Sequence, residues 1–140
     1  MPVVLLTRPH KENLRIAPLF QQRGFRVLQV PLIELRPIPP DYSILSAWRA
    51  DASATDASAT PPILLTSNTA TELWIRLIAN TPVADDSLRY LVVGNRSTQL
   101  LRKQFPSADI ESVANSGAEL LRQLRQLPSS ILYPCSIQRR

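Results

Sequence analysis

Thr66-Ser67-Asn68-Thr69 is the densest group of small hydrogen-bonding side chains in this 140-residue chain. It follows the apolar run Ile63-Leu64-Leu65 and precedes helical spacing at Ala70, Leu73, Trp74 and Leu77. The run is too short for a buried helix and suits an interior strand, so the stretch predicts a strand, a polar turn and a helix start. Thr69 with Glu72 fits a capping box. The free N–H groups of such a helix, the Thr66 and Ser67 hydroxyls and the Asn68 amide would converge at the strand's carboxyl end, where an anion is favoured. The same residues also serve as ordinary helix caps, and the spacing alone leaves both uses open.

A second junction has the same form. Arg89 to Val93 reads as a buried strand, and Gly94-Asn95-Arg96-Ser97-Thr98 turns it into a helix carrying Leu100, Leu101 and Phe105. Gly94 is expected to allow the sharp turn, and Ser97 or Thr98 to cap.

The chemistry that is missing narrows the function. The three glycines, Gly24, Gly94 and Gly117, are too far apart for a dinucleotide fingerprint or a phosphate-binding loop. One histidine, His10, and one cysteine, Cys135, exclude an internal disulfide and a cysteine-based zinc site, and Cys135 is expected to be a small packing residue. No metal and no cofactor are expected, so an enzyme of this kind would work by positioning and electrostatics.

The net charge of +5 is uneven: residues 1 to 40 carry +4, residues 41 to 90 carry −3 and residues 91 to 140 carry +4. Basic ends point to an anionic partner or to a solvated surface. No basic tract is interleaved with aromatics, which argues against nucleic acid. No apolar window approaches the roughly 18 residues of a membrane span, and no targeting segment opens the chain, so a soluble cytoplasmic monomer is expected.

The remaining elements must position these residues. Val3 to Thr7 reads as a strand ending at Arg8-Pro9. Leu14, Ala17, Leu19 and Phe20 read as a short helix stopping near Gly24, with Pro18 forcing a late start or a kink. Phe25 to Val30 is a second strand, and Pro37, Pro39 and Pro40 form a stiff connector. Tyr42 to Ala50 predicts a helix with Leu45 and Trp48 inward. The perfect tandem copy Asp51–Thr55 and Asp56–Thr60 reads as a loop insertion. Beyond a polar loop with Pro82, Asp85 and Asp86, Asp109 to Val113 reads as an edge strand. Asn115-Ser116-Gly117 opens a helix with Leu120, Leu121, Leu124 and Leu127 inward, and Ile131 to Tyr133 is the last strand. The fold class is therefore α/β, a parallel sheet flanked by helices, with ligands expected at the strands' carboxyl ends.

Val4-Leu5-Leu6-Thr7-Arg8-Pro9, Gly24, Pro31-Leu32-Ile33-Glu34, Leu65 to Ala70, Val93 to Thr98, and Ile131-Leu132-Tyr133 with Arg139 form an ordered set. In order and spacing this set resembles uroporphyrinogen-III synthase. The resemblance implies a cofactor-free enzyme of tetrapyrrole biosynthesis. Its substrate, hydroxymethylbilane, loses its hydroxyl as water, inverts its last pyrrole ring through a spiro intermediate and closes to the macrocycle.

The resemblance also implies two α/β lobes with substrate in a cleft between them. Residues 1–36 would be the opening β-α-β of the first lobe, 37–40 the connector and 41–140 the second lobe. It implies substrate-binding roles for Arg8, Thr66, Ser67, Asn68, Ser97 and Arg139, with a structural ion pair as the alternative for the two arginines. The chain departs from the family at Thr98, where a small apolar residue is usual, and at Cys135, where glycine is usual. The family's remaining half, including a cleft tyrosine, has no counterpart, so a truncated copy with an incomplete, loosely held first lobe is expected. The competing reading is a non-catalytic α/β module, of response-regulator or flavodoxin-like kind, holding an anionic ligand at the strand ends. The response-regulator form would need acidic strand ends, where this chain has Thr7-Arg8 and Thr66-Ser67.

Overall fold

The computed structural model describes residues 1–54, 61–80, 88–126 and 128–135. The chain divides into two units, Met1–Pro39 and Pro40–Arg140. Both are built from parallel strands and helices, so the class is α/β.

In the first unit β1 (Val3–Leu6) pairs in parallel with β2 (Arg26–Gln29) through α1 (His10–Gln21). The pairing continues past the strands, with Val30 N–H donating to Leu6 O at 2.9 Å and Leu32 N–H to Thr7 O at 3.0 Å. Strand alternation puts Leu6 on the covered face, buried along with Asn13 and Ala17 of α1, while Val3, Leu5 and Leu28 are exposed. The buried face of α1 is thus set by Asn13 and Ala17, while Leu14 and Leu19 are exposed. Asn13 is placed inside by a hydrogen bond from its Nδ2 to Leu6 O at 3.0 Å, a polar anchor that apolar periodicity does not register. Nor is Pro18 accommodated by a late start, because α1 already begins at His10.

The helix end is as expected. Gly24 adopts φ +80°, Phe25 N–H donates to Phe20 O at 3.1 Å and Gly24 N–H to Gln21 O at 2.9 Å. The Phe20 and Phe25 rings meet edge-on at 5.8 Å, the apolar contact that accompanies this left-handed stop.

The second unit holds α2 (Tyr42–Ala54), β3 (Ile63–Leu65), α3 (Asn68–Ala79), β4 (Arg89–Val93), α4 (Asn95–Gln104), β5 (Asp109–Ala114) and α5 (Gly117–Gln123). The strands form a parallel sheet in the order β3-β4-β5, and Leu132 bridges to Ile63 on the other edge of β3. Both faces of β4 are buried, as parallel strands require. Tyr90 and Val92 join Leu45, Trp48, Ile63, Leu65, Trp74, Ile78 and Leu101 on one side. Leu91 joins Ala114 and Leu120 on the other. Each such large side chain taken from water contributes about 1.5–3 kcal/mol, so this unit carries the main core. The Trp74 indole N–H donates to the buried Tyr90 hydroxyl at 3.3 Å, which gives both polar tips a partner.

Several local expectations need correction. The first repeat copy is not a loop as far as Ala54, because α2 runs on through it: the helix is already nucleated at Tyr42, and alanine is the best residue for extending one. Residues 55–60 of the repeat lie outside the described residues, as do Pro82, Asp85, Asp86, Leu127 and Arg139.

On α3 the buried stripe is Thr71, Trp74 and Ile78, and on α5 only Leu120 is buried while Leu121 is 61% exposed. α5 is just seven residues long, too short to bring four leucines to one face. Cys135 is exposed, not a packing residue, because it lies beyond the last bridge to the sheet.

Candidate functional site

The carboxyl end of β3 passes directly into α3 through Thr66 and Ser67. Ser67, and not Thr69, is the N-cap: its backbone is extended (φ −153°, ψ 155°) and its Oγ accepts from Ala70 N–H at 3.1 Å. The helix therefore starts two residues earlier than a Thr69–Glu72 capping box would place it. The carbonyl of Ser67 accepts twice from the fully buried Thr71, from its N–H at 3.0 Å and its Oγ1 at 2.9 Å. Thr71 thus fixes the cap. Its position four residues after a serine is a signal the sequence carries but that reads as ordinary helix interior.

The second junction is capped differently. Gly94 takes the N-cap of α4 with φ +96°, as its expected turn role requires, and neither Ser97 nor Thr98 makes a side-chain cap. Glycine there frees Ser97 for another task. Ser97 is completely buried inside α4, and its Oγ donates to Asn68 Oδ1 at 2.9 Å. This bond ties the two strand-to-helix junctions together. With Oδ1 held, Asn68 Nδ2 has no partner among the described residues and remains a donor.

A residue outside the expected set completes the group. Leu132 N–H donates to Pro62 O at 3.1 Å and Leu64 N–H to Leu132 O at 2.9 Å, which lays this segment along β3. Tyr133 then reaches the same strand end, its hydroxyl 3.3 Å from Thr66 Oγ1. The sequence signal is the expected strand over Ile131 to Tyr133; the structure reduces it to the single bridge of Leu132 to Ile63, and that neighbour is not readable from the sequence.

Thr66, Ser67, Asn68, Ser97 and Tyr133 therefore share one corner. Four of them line it, and Ser97 lies beneath Asn68. The Asn68 and Thr69 N–H groups, at the first positions of α3, carry no hydrogen bond among the described residues. Hydroxyl and amide donors together with a helix start make a corner suited to a carboxylate. Arg8 lies in the other unit, exposed just after β1, with no ion pair among the described residues. Arg139 lies outside them. No group of three metal-ligating side chains comes together among the described residues, and no helix there is long and apolar enough to cross a membrane.

A family model described as uroporphyrinogen-III synthase HemD matches residues 15–140. The chain belongs to this family. Its expected fold class and resemblance stand accordingly, and membership supports a synthase-like role in tetrapyrrole biosynthesis. The match takes in the whole Thr66, Ser67, Asn68, Ser97 and Tyr133 corner and begins after Arg8. No curated protein matches the chain.

Proposed function

We propose that the chain is a uroporphyrinogen-III synthase, a lyase that converts hydroxymethylbilane to uroporphyrinogen III and water, with Thr66, Ser67 and Asn68 binding substrate carboxylates. The observation that carries this reading is the clustering, at the end of β3, of donors that have no partner among the described residues, in a chain of this family. The substrate is rich in carboxylates, and each can exchange water for charge-assisted hydrogen bonds from hydroxyls and N–H groups. Holding several carboxylates at once fixes the ring that must be inverted, so that the carbon released by loss of hydroxyl meets the intended pyrrole carbon. That is catalysis by orientation. Ser97 contributes by holding Asn68, and Arg8 and Arg139 are proposed as charge partners of further carboxylates.

The test is a coupled assay in which the bilane is generated in the presence of the purified, folded chain and the uroporphyrinogen isomers are separated. The bilane closes unaided to isomer I, so an excess of isomer III is the expected result. Isomer I alone from a folded chain overturns catalysis and leaves the non-catalytic anion-binding reading.

A further inference from the structure

We propose that Tyr133 is a substrate-binding residue whose hydroxyl acts with that of Thr66 as a two-donor clamp on one carboxylate. This rests on reading the corner as the tetrapyrrole site. The two oxygens are 3.3 Å apart, and either can be the donor. Hydroxyl pairs usually sit at about 2.5–3.0 Å, so this is a weak mutual bond that is given up at little cost. In it one hydroxyl hydrogen is shared and the other points elsewhere. A carboxylate arriving between them takes both hydrogens, replacing one long neutral bond by two charge-assisted ones.

A purely structural tyrosine in this protein has a different setting. Tyr90 is 2% exposed and its hydroxyl accepts from the Trp74 indole deep in the core, whereas Tyr133 is 46% exposed. Its backbone is held without help from its side chain, since the bridge to β3 is made by Leu132 and Pro134 restricts the preceding residue to extended conformations. Only two side-chain torsions then remain to be ordered on binding, and the ring adds an apolar face for a flat pyrrole.

The experiment is fluorescence titration of the full chain and of Tyr133→Phe with uroporphyrin, which has eight carboxylates, and with a porphyrin bearing four. Wild type is expected to bind uroporphyrin, and the variant to bind it about tenfold more weakly at an unchanged melting temperature. The loss is expected to be smaller for the tetracarboxylate. That shift in preference distinguishes carboxylate recognition from a packing role. Thr66→Val should reproduce the loss, and adding it to Tyr133→Phe should cost little more. Equal uroporphyrin affinity in wild type and Tyr133→Phe overturns the clamp and leaves the proposed function standing. Absence of uroporphyrin binding by wild type overturns both.

Discussion

Ser67 has two roles that a pair of substitutions separates. Its Oγ accepts the Ala70 N–H at 3.1 Å as the cap of α3, while its hydrogen remains available to a ligand. Ser67→Ala removes both. Loss of a serine cap costs about 1 kcal/mol, which in a unit of this size lowers the melting temperature by about 4 to 8 °C. Loss of a hydrogen bond to a charged carboxylate costs about 1.5–3 kcal/mol, roughly 10- to 150-fold in uroporphyrin affinity.

Ser67→Asp keeps the cap, since aspartate ranks with serine there and favours a helix N-terminus. Its melting temperature should therefore stay near wild type. Against a ligand carboxylate about 4 Å away, however, the new charge is repelled by about 1 kcal/mol if water screens fully and about 4 kcal/mol at an effective dielectric of about 20. Added to the lost hydrogen bond, the penalty is at least about 2.5 kcal/mol, or roughly 50-fold or more. Thermal melts followed by circular dichroism, together with uroporphyrin fluorescence titrations, read both quantities. An aspartate variant that melts normally and binds uroporphyrin as well as wild type would refute a ligand role for Ser67 and return it to capping alone.

Three further outcomes follow from the structure. In a double-mutant cycle, Ser97→Ala and Asn68→Ala should couple by about 0.5–1.5 kcal/mol in stability, and Ser97→Ala should have no added effect on uroporphyrin binding once Asn68 is gone; additive binding losses would contradict action through Asn68. Asp41 accepts from Ser43 Oγ and N–H at 2.5 and 2.9 Å, and these bonds, the side-chain one first, hold its carboxyl below the ordinary value of 3.8. A depressed carboxylate stabilises above its unfolded value and loses that contribution as pH falls through the folded one, so amide protection at the start of α2 should drop below about pH 4 in wild type but not in Asp41→Asn. Finally, amides of Val4 to Leu6 in the two-stranded sheet should exchange faster than those of Leu64 and Leu91 in the second unit; equal protection would contradict a loosely held first unit.

The junctions were legible because a strand buried on both faces leaves a bare apolar run, as at Ile63 to Leu65 and Arg89 to Val93, and turn chemistry follows at once. Cap positions were not, since Thr69 and Ser67 are both competent caps. What decides between them is Thr71, whose two bonds to the Ser67 carbonyl form only once the helix has begun. Likewise, Ser97 looked like a cap because sequence cannot show that Gly94 already holds that place. Apolar periodicity does not give the inner face where a polar residue goes inside, as at Thr71, or where a helix is too short to use all its leucines, as at Leu121. Tyr133 was missed for a topological reason: its value depends on Leu132 pairing with β3, a partner 69 residues earlier in sequence at Ile63.

The claim that the β3 and β4 strand ends form the tetrapyrrole site is tested most directly by following backbone amide resonances of the full chain during titration with uroporphyrin. The largest saturable shifts should fall at Thr66, Ser67, Asn68, Thr69 and Tyr133, with smaller ones at Asn95 and Arg96. Saturable binding that leaves those amides unmoved and shifts a different surface would contradict the account.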